Sequence, residues 1–174
     1  MQSTCSLTCA KEQKILNSRN KKAKPKKPQT KLSTLQAKAD SLMSEYIRRK
    51  HADEHGYVTC VSCGRSFRWQ DVDNGHFISR RHFATRYIEE NCHPECKGCN
   101  RFNHDHLIGY TQSMIDLYGK SGINELQEES KRLLSPSQKR QIVTEAIEYY
   151  TKMLNEINAS FRGGPEARPA GNDS

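Results

Sequence analysis

Two C-x-x-C pairs, Cys60-Val-Ser-Cys63 and Cys96-Lys-Gly-Cys99, carry the most decided chemistry in this sequence. Two thiolates three positions apart reach one tetrahedral cation, and the two pairs together offer the four sulfur ligands of a structural zinc site. Gly64 and Gly98 ease the tight backbone that each pair requires. Four thiolates leave no open coordination position, so such a zinc folds the chain and does not react. A catalytic centre must lie elsewhere. Between the pairs stands Asp73-Asn74-Gly75-His76-Phe77-Ile78-Ser79-Arg80, and Asn100, Asn103, His104, Asp105 and His106 follow the second pair. A zinc bridging both pairs would draw these segments together. Hydrolysis of a phosphodiester needs a base for water, and the neutral imidazole of His76, with an ordinary pKa near ~6.5, suits that task. It also needs a cation, for which the oxygen donors of Asp73 and Asn100 suit Mg²⁺ or Mn²⁺. Arg80 and Arg81 stand where they could meet phosphates, the plain alternative being a solvated pair.

The surrounding chain is poorly supplied for packing: 34% of its 174 residues are hydrophobic against 28% charged, so a staple other than the core is expected. The formal charge is +8, and residues 1–50 hold thirteen Lys/Arg against three Asp/Glu, a concentration that seeks a polyanion. No stretch approaches the ~18 apolar residues of a membrane span and no apolar leader follows Met1, which turns the reading toward nucleic acid and the cytoplasm. The cysteines agree. Seven is an odd number and four fall in C-x-x-C pairs, a pattern of metal in a reducing compartment and not of disulfides. Cys5 and Cys9 read as free thiols in a tail, and Cys92 as a small core residue.

Residues 1–31 read as a disordered basic arm in which Lys21, Lys22, Lys24, Lys26 and Lys27 are interrupted by proline, adding sequence-independent affinity for a phosphate backbone. A first helix should begin at Ser33, where Ser33-Thr34-Leu35-Gln36 has capping-box spacing, and bury Leu35, Ala39, Leu42, Met43, Tyr46 and Ile47. Residues 57–100 lose the helical period, with short strands expected at 57–60, 74–78 and 87–91. A helix from 100 to a Gly119 cap, a short helix over 123–133 and a last helix opened by Ser135-Pro136-Ser137-Gln138 complete an α+β domain over residues 32–160. That last helix presents Ile142, Ala146, Tyr149, Tyr150, Met153 and Ile157 on one face. Residues 161–174, rich in Gly and Pro, read as a disordered tail.

At these residues the chain resembles the NinG (Rap) recombination proteins of lambdoid phages. The resemblance rests on the first knuckle, Asp73-x-Gly75-His76-x-x-x-Arg80, Asn91 ahead of the second knuckle, Cys96-x-x-Cys99-Asn100, and Tyr118-Gly119 with Ile123-Asn124-Glu125-Leu126 beyond. The motif order is also similar to that of the phage endonuclease VII resolvases of the wider HNH group. The resemblance covers about residues 32–160. It implies a small zinc-stapled ββα-metal (HNH) core flanked by α-helices, and a structure-specific, metal-dependent endonuclease acting on branched recombination intermediates, Holliday junctions and D-loops. It implies His76 as general base, Asn91 as the asparagine that orients the hairpin loop, and Asn100 as a metal ligand at a helix start. Endonuclease VII has adjacent Asp-His, whereas Asn74 and Gly75 separate Asp73 from His76 here, so the ligand beside Asn100 is either Asp73 or His104. His82, His93 and His106 have no assigned role. A homodimer is expected from function, since paired cuts across a junction need two centres. The rival readings are a non-catalytic zinc-containing DNA-binding recombination accessory and an RNA binder. His93-Pro94-Glu95 ahead of Cys96-x-x-Cys99 matches the elements of zinc deaminases, but those lie on separate helices and here they abut.

Overall fold

The computed structural model describes residues 30–102 and 106–162. Cys5, Cys9, the lysines of the basic arm, His104 and nearly all of the C-terminal tail lie outside the described residues. The chain runs through helix α1 (Leu32–Lys50), strands β1 (Tyr57–Thr59), β2 (Ser66–Arg68), β3 (Val72–His76) and β4 (Cys92–Cys96), then helices α2 (Lys97–Phe102), α3 (His106–Ser130) and α4 (Pro136–Arg162). The class is α+β. β1 and β2 pair antiparallel around the turn that holds Cys60 and Cys63, with Val58 opposite Phe67. β3 and β4 form a second antiparallel pair, Val72 opposite Cys96 and His76 opposite Cys92, and α2 follows β4 directly.

Ala39, Met43, Tyr46 and Ile47 recur at helical spacing on α1 and all are buried. They meet Val143, Ala146, Tyr150 and Leu154 of α4, with Cys92 of β4 in the same cluster. Full burial of a Met, Ile, Val or Leu side chain contributes roughly 1.5–3 kcal/mol, so this helix pair is the main apolar support of the second hairpin. A second cluster joins Tyr110, Met114, Ile123 and Leu126 of α3 to Phe77, Ile78 and Ile88 in the β3–β4 loop. The C-terminal end of that loop is tied down as well. Glu89 accepts from Lys50 at 2.5 Å and from the Tyr149 hydroxyl at 2.7 Å, while the Tyr150 hydroxyl donates to the Tyr87 carbonyl at 2.8 Å.

Several boundaries depart from the sequence reading. α1 begins at Leu32, with Lys31 at the N-cap and no side-chain cap. Leu32 and Leu35 pack against the first cluster, and that contact draws Ser33 into the helix, where it cannot cap. Residues 87–91 are not a strand: Glu89–Asn91 is a 3-10 turn and the strand is Cys92–Cys96. β2 was not anticipated, and β3 lies two residues earlier than expected. The expected break at Gly119 is present: at φ 66 and ψ 176 it separates the two helical stretches that make up α3, a conformation that glycine adopts without a Cβ penalty. The face of α4 is centred on Val143, Ala146, Tyr150 and Leu154, leaving Tyr149 at 46% exposure. Its start does form the expected capping box: Gln138 N–H donates to Ser135 Oγ at 3.3 Å, and Ser135 N–H to Gln138 Oε1 at 2.9 Å.

The start of α3 lies directly on the first knuckle. Ser113 Oγ donates to the Val61 carbonyl at 2.7 Å, and a Cβ at Gly109 would land on the Ser62 carbonyl oxygen, 3.0 Å from its carbon. Gly109→Ala should therefore destabilise. The gain in helix propensity is about 1 kcal/mol, against roughly 1–3 kcal/mol for overpacking onto backbone. Melting of the zinc-loaded protein checks this, and a Tm at or above wild type would show that helix and knuckle part readily.

Candidate functional site

The ligating atoms of Cys60, Cys63, Cys96 and Cys99 lie within 4.8 Å of one another. A tetrahedron with bonds of about 2.3 Å to zinc has sulfurs about 3.8 Å apart, and Cys63 Sγ stands 4.0 Å from Cys96 Sγ. Backbone amides are already aimed at the sulfurs: Cys96 N–H donates to Cys60 Sγ at 3.3 Å and Cys99 N–H to Cys96 Sγ at 3.4 Å. The donor set fits a metal ion such as zinc. Burial pushes the Cys60 and Cys99 thiols up. Burial pushes the Cys63 thiol up too, but hydrogen bonds from the Arg65 side chain and backbone, with those of Cys60 and Cys99, together bring it down to about 6. A cation held by all four must displace the protons of the buried thiols, so its binding free energy is coupled to both folding and pH.

Beyond the cysteines, β3 presents two groups in different directions. The two-residue period of a strand sends Asp73 and His76 to opposite faces, and Asn74 shares the side of His76. His76 Nε2 lies 3.2 Å from the Arg86 carbonyl oxygen. A carbonyl can only accept, so in this pose the ring donates from Nε2, and the Asn74 carbonyl is a second acceptor beside the ring. Burial lowers the His76 pKa and the nearby arginines add to it, outweighing the carbonyls of Arg86 and Asn74. Arg86 is itself fixed, with Nε on Asp40 Oδ1 of α1 at 2.9 Å and Nη1 on the Arg80 carbonyl at 2.9 Å. Asn91 is fully buried and buckles the loop shut. Its Oδ1 accepts from Ile78 N–H at 2.7 Å, and its Nδ2 donates to the carbonyls of Ile78 and Thr85 at 3.0 Å each.

Asp73 faces α2. Its carboxylate takes a two-pronged pair from Arg101, 2.7 Å on each oxygen, and a bond from Asn100 Nδ2 at 2.9 Å. Against partial desolvation, Arg101 and Asn100 hold the carboxyl below its ordinary pKa. An open cleft of about 710 Å³ brings Asp73, His76, Arg80, Asn100 and Arg101 onto its walls. Arg81 is exposed beside Arg80 but does not line it, Asn91 stands behind it, and His104 with Lys21, Lys22, Lys24, Lys26 and Lys27 falls outside the described residues. Among the described residues, no cluster of three or more His, Cys, Asp or Glu ligands forms around Asp73. Arg101 and Arg86 escaped the sequence reading. Arg101 directly follows the Cys99-Asn100 motif and could have been noticed; nothing in the sequence pairs Arg86 with Asp40.

His93, unassigned from sequence, is 3% exposed. The Tyr118 hydroxyl is 3.0 Å from its Nε2, its Nδ1 is 3.2 Å from the Tyr110 oxygen, and Tyr110 donates to the Gly75 carbonyl at 3.0 Å. One assignment satisfies every group: a neutral ring that accepts at Nε2 and donates from Nδ1. Burial, with His51 and Lys50 nearby, brings its pKa down to about 4. This buried chain ties α3 to the peptide that precedes His76.

These features define a small α+β protein with a four-cysteine cluster able to hold a metal ion such as zinc, set between two hairpins and bordered by helices. It belongs to the NinG family: the family model described as Bacteriophage Lambda NinG protein matches residues 1–158. The chain is similar to Protein ninG of Salmonella phage P22, 28% identical over 97 residues that cover 54% of this chain and 44% of that protein. It is similar also to Protein ninG of Escherichia phage lambda, 27% identical over 97 residues, with 54% and 44% covered. The match therefore spans less than half the length of these relatives. No solved structure gives a significant match. Among the described residues, no helix is long and apolar enough to cross a membrane.

Replacing Cys60, which is 1% exposed, by Ser should release the metal and unfold the two hairpins, because binding energy in such sites is largely folding energy. Zinc per chain and the melting transition are the readouts. A variant that loses zinc yet melts as wild type would show that the cluster is not a staple.

Proposed function

We propose that the protein is a metal-dependent endonuclease that hydrolyses phosphodiester bonds in branched DNA, with His76 as general base. The observation that carries this reading is the posture of His76: a neutral imidazole, tied by Nε2 to the Arg86 carbonyl, opening on a cleft walled by Asp73, Arg80 and Asn100. An antiparallel hairpin that runs straight into a helix, with the histidine on its first strand and an asparagine on the helix, also follows the order of a ββα-metal (HNH) core. The unprotonated ring nitrogen of His76 would take the proton of the attacking water, and burial keeps the ring neutral at neutral pH. Asn91 would keep the loop closed behind it. Arg80 and Arg81 would face phosphates, and the lysines at 21, 22, 24, 26 and 27 would add affinity that falls with salt. Mg²⁺ or Mn²⁺ bound at Asp73 and Asn100, with His104 as a further ligand, would supply charge neutralisation at the phosphate and leaving oxygen. To offer those donors, Asp73 must release Arg101, and Asn100 must turn its amide oxygen outward. Two copies of the chain would provide the paired cuts that a four-way junction requires.

A second reading, a non-catalytic zinc-containing DNA-binding accessory of recombination, is favoured by one observation: both Asp73 oxygens are already occupied by Arg101 and Asn100. Cleavage decides between them. His76→Ala should slow cutting of a branched substrate in Mg²⁺ or Mn²⁺ by roughly 10²–10⁴-fold, the usual contribution of positioned proton transfer, with DNA affinity and zinc content kept. Because the His76 pKa is depressed, the wild-type rate should stay level as pH falls from about 8 to the ordinary histidine value of about 6.5 and decline only below it. A His76→Ala protein that cuts at the wild-type rate would remove the imidazole from the reaction. Wild type that binds junctions and cuts with neither cation would establish the accessory.

A further inference from the structure

The rim of the cleft carries an apolar feature that the hydrolytic reading does not use. Phe102, the last residue of α2, is 77% exposed, and Leu107 and Ile108, in the first turn of α3, are 46% and 74% exposed. Isolated exposed apolar side chains are ordinary, but one of these lines the cleft and the other two are chain neighbours of residues that do. Leu107 lines the cleft itself, and Phe102 follows Arg101, which lines it too. Their setting is cationic: Arg80, Arg81 and Lys97 are exposed, and Lys97 is close enough to Asp73 to help lower its pKa. Among the described residues, Arg80 and Arg81 form no ion pair.

We infer that Phe102, Leu107 and Ile108 form a wedge that receives unstacked bases at a DNA branch point, beside phosphates held by Arg80 and Arg81. This rests on the reading of the cleft as a DNA site and names the part of the substrate it selects. Three side chains offer far less than the ~800 Å² per partner that a stable protein interface buries, so a second protein chain is a poor occupant. A ligand with apolar faces and an anionic edge is a good one, and a nucleotide has both. A continuous duplex keeps its base faces inside the stack, and wedging it open costs unstacking energy. At a branch, terminal faces are already open, so the wedge favours branched over linear DNA without reading sequence.

The test uses the full-length, zinc-loaded protein, a four-way junction with 2-aminopurine at the branch, and a linear duplex of equal length. Binding is measured in Ca²⁺ and cutting separately in Mg²⁺ and Mn²⁺. Wild type should raise the 2-aminopurine fluorescence and prefer the junction. A Phe102→Ala, Ile108→Ser double variant should lose the fluorescence rise and bind the junction roughly 5- to 150-fold more weakly, the range for losing one stacked base. Its duplex affinity, zinc content and melting should be unchanged, since both side chains are exposed, and Phe102→Trp should keep the junction preference. A double variant with the wild-type junction-to-duplex ratio and fluorescence overturns the wedge, as does one that loses duplex and junction affinity alike. Wild type that raises the fluorescence but never cuts keeps the wedge and removes the nuclease. Wild type that cuts branched DNA beside a double variant of unaltered preference does the reverse.

Discussion

Four sulfur atoms within 4.8 Å of one another are the constraint on which the rest of this structure hangs. Two of them lie in the turn of the first hairpin, and two straddle the passage from β4 into α2. Strands of three and five residues are too short to be stable alone. Once the two cysteine pairs are held together, the register of β3 against β4 fixes where Asp73 sits, and Asn100 and Arg101 follow Cys99 by covalent geometry. A chain with so few apolar residues thus positions a polar cleft by a four-cysteine cluster at one end of a hairpin and by the helix pair α1–α4 at the other.

Between those anchors, the cleft is shaped by part-buried polar contacts. The Asp40–Arg86 pair carries the carbonyl that orients His76, and Asn91 closes the loop through three hydrogen bonds. Exposed ion pairs such as Lys131–Glu128 add little to stability. The part-buried ones do more, because breaking one leaves a desolvated charge behind. At Asp73 the partner is Arg101, an exposed guanidinium that neutralises a carboxylate on the cleft wall from within the chain.

The cysteine pairs were legible because metal ligation imposes a short, fixed spacing, and the helix faces because burial repeats every three or four residues. The capping box at Ser135 formed; the one at Ser33 did not, since leucines on the core side extended the helix past it. β4 was hidden because Cys92-His-Pro-Glu-Cys96 is buried at every position and so lacks alternation, and because Pro94 counts against a strand. His76, Asp73 and Asn100 could be gathered from their places beside the knuckles. The partners that set their states, Arg86 for one and Arg101 for the other, come from tertiary contacts that no local pattern announces.

The helix pair has a temporal side. α1 leaves the ribosome with Met43 and Ile47 uncovered, whereas Tyr150 and Leu154, which shield them, are made only after both hairpins and α3. At about 5–20 residues per second the delay is on the order of 5–20 s. All four cysteines are made within that interval, so their cluster can assemble before α4 exists, while α1 stays a greasy, half-clasped belt awaiting its buckle. A nascent chain stalled before α4 would hold all four cysteines and an unsheathed amphipathic helix, the state most in need of a chaperone's grip.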